Sequence, residues 1–155
     1  MTLLHGDLTE GQMQGLYEHD KIKALINIGH GEGFGLPLFE AAYNALPVVS
    51  VGWSGQLDFL HHKGKDYFNS VDYSIRNVQQ EAVWPGVIEA ESKWAYAQPG
   101  SYKMVLRRVY KKYTKAKTKA VELKEIIEKN FTSEKMYGQF VNHLLPSGSD
   151  NEIIL

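Results

Sequence analysis

The sequence predicts an α/β domain built on a parallel β-sheet with helices packed against it. Three observations predict it. Short apolar runs rich in β-branched residues recur at 24–28, 47–51 and 67–71. Such runs lack the strict alternation of a half-exposed strand and suit a sheet covered on both faces. Stretches of helical period separate them, and strands alternating with helices make right-handed βαβ units. The turn after the first run is rich in glycine and leads into a helix that carries Pro37 at its start, a position where proline's missing N–H costs nothing.

Taken in order, Leu3 and Leu4 read as a short strand that ends at Gly6. Thr9-Glu-Gly-Gln12 reads as a helix start, with Met13, Leu16 and Tyr17 at helical spacing. Ala24 to Ile28 is a buried strand, Leu36 to Ala45 a helix, and Pro47 to Val51 the next strand. Gly52 to Gly55 forms a loop, Gln56 to His62 a short helix, and Tyr67 to Val71 a further strand. Residues 72–100, with Pro85, Pro99 and scattered aromatics, read as irregular loops and short helical pieces. From Ser101 to Lys129 the apolar positions Leu106, Val109, Tyr113, Ala120, Leu123 and Ile127 predict one long helix. Thr132 or Ser133 can cap a last helix running to Leu145. Residues 1–146 are therefore expected to form one domain, and 147–155 a flexible tail.

Composition narrows the function. A chain of 155 residues suffices for one hydrophobic core. A net charge of −1 argues against nucleic acid as a partner. The chain has no cysteine, hence no disulfide framework and no thiolate metal site, and no spacing of His and acids suggests a metal. The first residues lack the basic and apolar regions of a signal peptide, and no apolar run is long enough to span a bilayer, so a cytoplasmic location is expected. The many lysines and arginines between Lys103 and Lys124 read as the solvated side of a helix, with membrane association as the weaker alternative.

The chemistry concentrates in Gly29-His-Gly-Glu-Gly-Phe-Gly-Leu-Pro-Leu-Phe-Glu40. Glu32 and Glu40 have seven residues between them, across a glycine-rich turn that opens a helix. A helix start offers unpaired N–H groups and partial positive charge, and so attracts phosphate. Two acids beside an anion site call for a ligand that also carries hydroxyls, which donate strong hydrogen bonds to carboxylates. Phosphate with hydroxyls on either side describes a nucleotide sugar. A dinucleotide fingerprint fails on spacing, because Phe34 and Leu36 stand where its last glycine belongs. A Walker loop lacks its Gly-Lys-Ser/Thr ending.

Glu32-Gly-Phe-Gly-Leu-Pro-Leu-Phe-Glu40-Ala-Ala, then Leu46-Pro-Val-Val49, then Ser54-Gly-Gln-Leu-Asp58 resemble, in that order, the donor-binding domain of the GT-B glycosyltransferases of family four (glycosyl transferases group 1). The resemblance is strongest over residues 21–60. It implies a Rossmann-like sheet forming one half of a GT-B fold. It implies a transferase that moves a sugar, with retention, from a nucleotide sugar such as a UDP- or GDP-sugar to an acceptor hydroxyl, without a metal or other cofactor. Glu32 is then the catalytic acid that contacts the donor sugar, and Glu40 holds the ribose hydroxyls. The backbone at Gly33, Phe34, Gly35 and Leu36 faces sugar and diphosphate. Ser54 and Gly55 stand where the family has Gly-Gly, and Asp58 where it has Glu. Gly6 matches the family's glycine near the base, and His30, two residues before Glu32, is within reach of donor or acceptor. The family's acceptor-binding N-terminal domain, and the Arg and Lys that steady its leaving diphosphate, match no residues here. The chain is therefore expected to be a fragment, inactive alone. The alternative is a non-catalytic nucleotide-sugar binding module that works with a partner chain. An epimerase or hydrolase is the weakest reading, since no Tyr-x3-Lys element stands near a cofactor loop.

Overall fold

The computed structural model describes residues 3–145. It is a mixed α/β fold around a small parallel sheet. Three strands, β1 (Leu25–Asn27), β2 (Val48–Val51) and β5 (Asn69–Val71), pair in the order β1-β2-β5. Leu25 aligns with Val48 and Asn27 with Ser50; Val49 aligns with Asn69 and Val51 with Val71. The predicted succession of parallel strands and helices is realised here. Helix α1 (Glu10–Glu18) precedes β1, and α2 (Leu36–Tyr43) connects β1 to β2. After β2 come α3 (Leu57–Leu60) and a small antiparallel pair, β3 (His61–His62) with β4 (Lys65–Asp66). The chain then enters β5.

β2 is buried at every position, as a strand covered on both faces must be. Successive side chains of a strand point to opposite faces, and the two hydrophobic clusters divide accordingly. Val48 packs with Leu38, Ala41, Phe59, Leu60, Leu123 and Ile127. Val49 packs with Val71, Val105, Val109 and Ala116 on the other side. Helix α4 (Pro99–Lys111) covers the second face. Helix α5 (Tyr113–Asn130) begins there at Ala116 and crosses to the first face by Leu123. Lys117 reaches the far end of α2, where its ammonium donates to the Ala45 carbonyl at 2.8 Å and favours the negative end of that helix dipole.

Four expectations need correction. Leu3 and Leu4 form no strand; both are exposed in extended, unpaired chain, because nothing in the sheet lies beside them. The strand at 24–28 is not fully buried: β1 is the sheet's edge, and Ile26 and Ile28 stay exposed. Residues 72–100 are not irregular throughout. They contain an antiparallel hairpin, β6 (Tyr73–Asn77) with β7 (Lys93–Ala97), in which Ile75 faces Ala95. Its long connection holds a 3-10 turn (Gln80–Ala82) and a Trp84–Ile88 bridge around Pro85-Gly86. The helix predicted over 101–129 is two helices, broken at Lys112 (φ −122°, ψ 43°). That break lets α4 follow one sheet face and α5 leave it.

Thr9 and Gln12 form a capping box at the start of α1, and Thr132 accepts from the Lys135 N–H to cap α6 (Ser133–Leu144). No residue of α6 is buried, and Tyr137, Phe140, Val141 and Leu144 are exposed along it. No helix among the described residues is long and apolar enough to cross a membrane. The expected tail, 147–155, lies outside the described residues.

Candidate functional site

The glycine-rich turn leaves β1 at the carboxyl ends of the parallel strands, the edge where open α/β sheets bind ligands. Asn27 begins it. The Gly29 N–H donates to Asn27 Oδ1 at 2.8 Å, an Asx-type turn that reverses the chain as the strand ends. The same side chain turns outward at its other end: Asn27 Nδ2 donates to Glu32 Oε1 at 2.6 Å. One carboxylate oxygen of Glu32 is thereby fixed, and Oε2 remains to accept from a ligand.

Gly35 closes the turn as the N-cap of α2 in the left-handed region (φ 86°), with no side-chain cap over the first helical amides. A β-carbon at Gly35 would stand 3.1 Å from Leu38 and 3.2 Å from Gln56, so both conformation and space favour glycine. The helix start thus has no side-chain cap; Leu36 is exposed there, and Pro37 contributes no N–H. Phe34 turns its ring to Phe39 and Phe59, at 5.2 and 5.1 Å between centroids, so its side chain anchors the turn.

Ser54 and Gly55 lie directly against this turn. The Gly55 N–H donates to the Glu32 carbonyl at 3.0 Å. The Ser54 hydroxyl donates to the same carbonyl at 2.8 Å and accepts from the Glu32 N–H at 3.3 Å. A β-carbon on Gly55 would collide with the Gly33 carbonyl, so the approach of the two loops requires glycine. Ser54 itself has φ 84°, a conformation costly for any residue but glycine. The hydroxyl's two bonds to Glu32 offset that cost.

Glu40 sits on the second turn of α2 and accepts from the Tyr17 hydroxyl at 2.9 Å through Oε2. Burial, and then the hydrogen bond and negative charge of Glu40, push the Tyr17 hydroxyl up to about 12. Oε1 of Glu40 makes no hydrogen bond among the described residues. The two acids are thus oriented separately, Glu32 by Asn27 and Glu40 by Tyr17. Two cavities of about 600 and 280 Å³ flank β5, and neither is lined by Glu32 or Glu40. Glu32 stands on the rim formed by the turn after β1, and Glu40 lies on the second turn of α2.

His30 does not stand free. Its Nδ1 lies 2.8 Å from the Ala95 carbonyl, and the Ala95 N–H donates to the His30 carbonyl at 3.2 Å. A carbonyl only accepts, so Nδ1 carries the proton and Nε2 is left as the open nitrogen. The ring stacks on Trp94 at 4.9 Å and tilts against Tyr96 at 4.6 Å, and the Arg76 guanidinium lies 4.2 Å over Tyr96. His30 thus fastens the turn to the β6–β7 hairpin. Gly6 is not brought to the site by any contact; it lies in exposed chain with open space around it. Asp58 is exposed in the first turn of α3.

Asn27, Tyr17 and the aromatic wall of Trp94, Tyr96 and Arg76 are site features that sequence reasoning missed. Asn27 had a signal, since Asn two residues before Gly at a strand end is Asx-turn spacing. Tyr17 had none, because its partner lies on another helix. Among the described residues no group of three or more His, Asp or Glu side chains could hold a metal ion. No protein-family model, curated protein or solved structure matches the chain.

Proposed function

We propose that the chain is the donor-binding domain of a retaining GT-B glycosyltransferase, holding a nucleotide sugar over the carboxyl ends of its parallel strands. One observation carries the reading. The two segments that the resemblance assigns to the donor, Gly29–Glu40 and Ser54–Gly55, are joined at the Glu32 backbone by the Gly55 N–H and the Ser54 hydroxyl. The left-handed Gly35 leads the chain from that junction straight into a helix start.

The chemistry follows from the positions. Breaking the anomeric C–O bond builds positive charge on the sugar and negative charge on the departing diphosphate. Backbone N–H groups around Gly35 and Leu36 stabilise the leaving phosphate, and the partial charge of the helix start adds to this. Glu32, its Oε1 held by Asn27, offers Oε2 to the donor sugar. Glu40, its Oε2 held by Tyr17, offers Oε1 to the ribose hydroxyls. The open rim is then one wall of a cleft whose other wall is an acceptor-binding domain.

Calorimetric titration with UDP, GDP and their sugar conjugates tests this. A hydrogen bond to a charged acceptor contributes about 1.5–3 kcal/mol, so Glu40→Ala should weaken nucleotide binding about tenfold or more. Tyr17→Phe removes the orienting bond but keeps the carboxylate, and should weaken binding less. Equal affinity in folded wild-type and Glu40→Ala protein would reject the assignment. Sugar-nucleotide binding without transfer, once an acceptor domain is supplied, would favour the non-catalytic module.

A further inference from the structure

The larger cavity has no part in the proposed donor site. It lies along β5, at the opposite sheet edge from β1, and is walled by the last turn of α4 and the first half of α5. Its volume of about 600 Å³ is within the range of small-molecule sites, roughly 300–1,000 Å³. Phe68, Val109 and Ala116 form an apolar floor. Five cations ring it: Lys65, Arg108, Lys112, Lys115 and Lys119.

This concentration does not follow from a basic chain, since the whole sequence carries a net charge of −1. It arises because Arg108, Lys112, Lys115 and Lys119 recur at three- and four-residue steps on one side of α4 and α5, and the break at Lys112 bends that stripe around a hollow. Only two carboxylates line the cavity, and both are engaged. Glu122 holds Lys65 at 2.7 Å, and Asp66 holds His61 at 2.7 Å. Arg108, Lys112 and Lys115 have no ion-pair partner among the described residues.

Lys119 is the most telling member. Its ammonium is drawn inward to donate to the Phe68 carbonyl at 2.7 Å. Burial disfavours its charge and lowers its pKa; Asp66 acts against this, while Lys65, Arg108 and Lys115 add repulsion. Lys65, Arg108, Lys112 and Lys115 stay exposed around the hollow and Lys119 is half-buried at its inner end, so an anion seated among them would relieve their mutual repulsion. An arginine fork with several lysine point charges is the donor set that binds phosphate.

We infer that this cavity binds a small phosphate-bearing ligand, with a diphosphate-sized anionic group, at a second site independent of the Glu32–Glu40 turn. Arg108 grips the anion through its planar fork, while Lys112 and Lys115 neutralise it from the rim. Lys119 closes the inner end.

Titration with inorganic pyrophosphate tests the inference. The unmodified protein should bind it, more weakly as salt is raised. The double variant Arg108→Ala/Lys115→Ala, which removes two exposed side chains, should bind at least about tenfold more weakly while its UDP binding stays unchanged. Glu40→Ala should leave pyrophosphate affinity unchanged. If thermal unfolding shows the double variant destabilised, Lys112→Gln serves in its place, with a smaller loss expected. Absence of pyrophosphate binding, or binding indifferent to these substitutions, overturns the inference. A second arm uses vesicles of phosphatidylglycerol mixed with phosphatidylcholine. Vesicle binding abolished by Arg108→Ala/Lys115→Ala, without pyrophosphate binding, would assign the cations to a membrane surface and likewise overturn it.

Discussion

Ser54 offers a sensitive test of how the two loops are joined. Its backbone is left-handed at φ 84°, while its hydroxyl exchanges two hydrogen bonds with the Glu32 backbone at 2.8 and 3.3 Å. A left-handed non-glycine residue costs roughly 1–2 kcal/mol, and each hydrogen bond contributes about 0.5–1.5 kcal/mol net. Ser54→Ala keeps the strain and loses both bonds, so it should destabilise the fold by about 1–3 kcal/mol. Ser54→Gly loses the same bonds but relieves the strain, so its cost should be no more than about 2 kcal/mol. Urea unfolding midpoints of the three proteins give the order directly, provided the slopes agree. The expected order is wild type at or above Ser54→Gly, with Ser54→Ala lowest. Nucleotide affinity should fall in the same order, because the Glu32 backbone loses its tether. An alanine variant as stable as the glycine variant would refute the reasoning, since the backbone strain would then be absent.

Gly55→Ala should be comparably severe: its β-carbon meets the Gly33 carbonyl, and overpacking of this kind costs about 1–3 kcal/mol. Nucleotide binding should drop sharply while far-UV circular dichroism stays native; retained affinity would mean the loops can separate without consequence. Tyr17 gives a pH signature. Its hydroxyl is raised from 10.0 to about 12 in the folded protein, so the folded state holds this proton more tightly than the unfolded state. The associated stability is complete below pH 10 and is lost as pH rises through about 12. Tyr17→Phe should flatten that alkaline loss in denaturant titrations, and an unchanged slope would contradict it.

The strand–helix succession from α1 to β5 was legible because each element carries a local signal. Pro47 to Val51 is apolar throughout, and Thr9 with Gln12 caps a helix. Long-range geometry was not legible. The break at Lys112 has no glycine or proline to mark it; it arises because Val105 and Val109 pack on one sheet face and Leu123 and Ile127 on the other. The β6–β7 hairpin escaped because the chain between its strands is long, although Pro85-Gly86 and the alternation of Lys93-Trp-Ala-Tyr-Ala97 were both visible. In the site, the residue types of the turn were readable, but its supports were not. Tyr17 reaches Glu40 across 23 positions and Ala95 meets His30 across 65, distances at which local pattern carries no information. The stripe from Arg108 to Lys119 reads as a solvated helix side, and Arg108, Lys112 and Lys115 are indeed exposed; what nothing in the sequence places is β4 and β5 beside it.

The central claim is that a nucleotide diphosphate seats on the turn between β1 and α2. Amide chemical-shift mapping with UDP and GDP on isotopically labelled protein tests it most directly. The largest changes should fall at Gly33, Gly35 and Leu36, with a second set at Ser54 and Gly55 and smaller ones near Glu40. Shifts confined to the cationic cavity along β5, or no shifts with either nucleotide, would contradict the account.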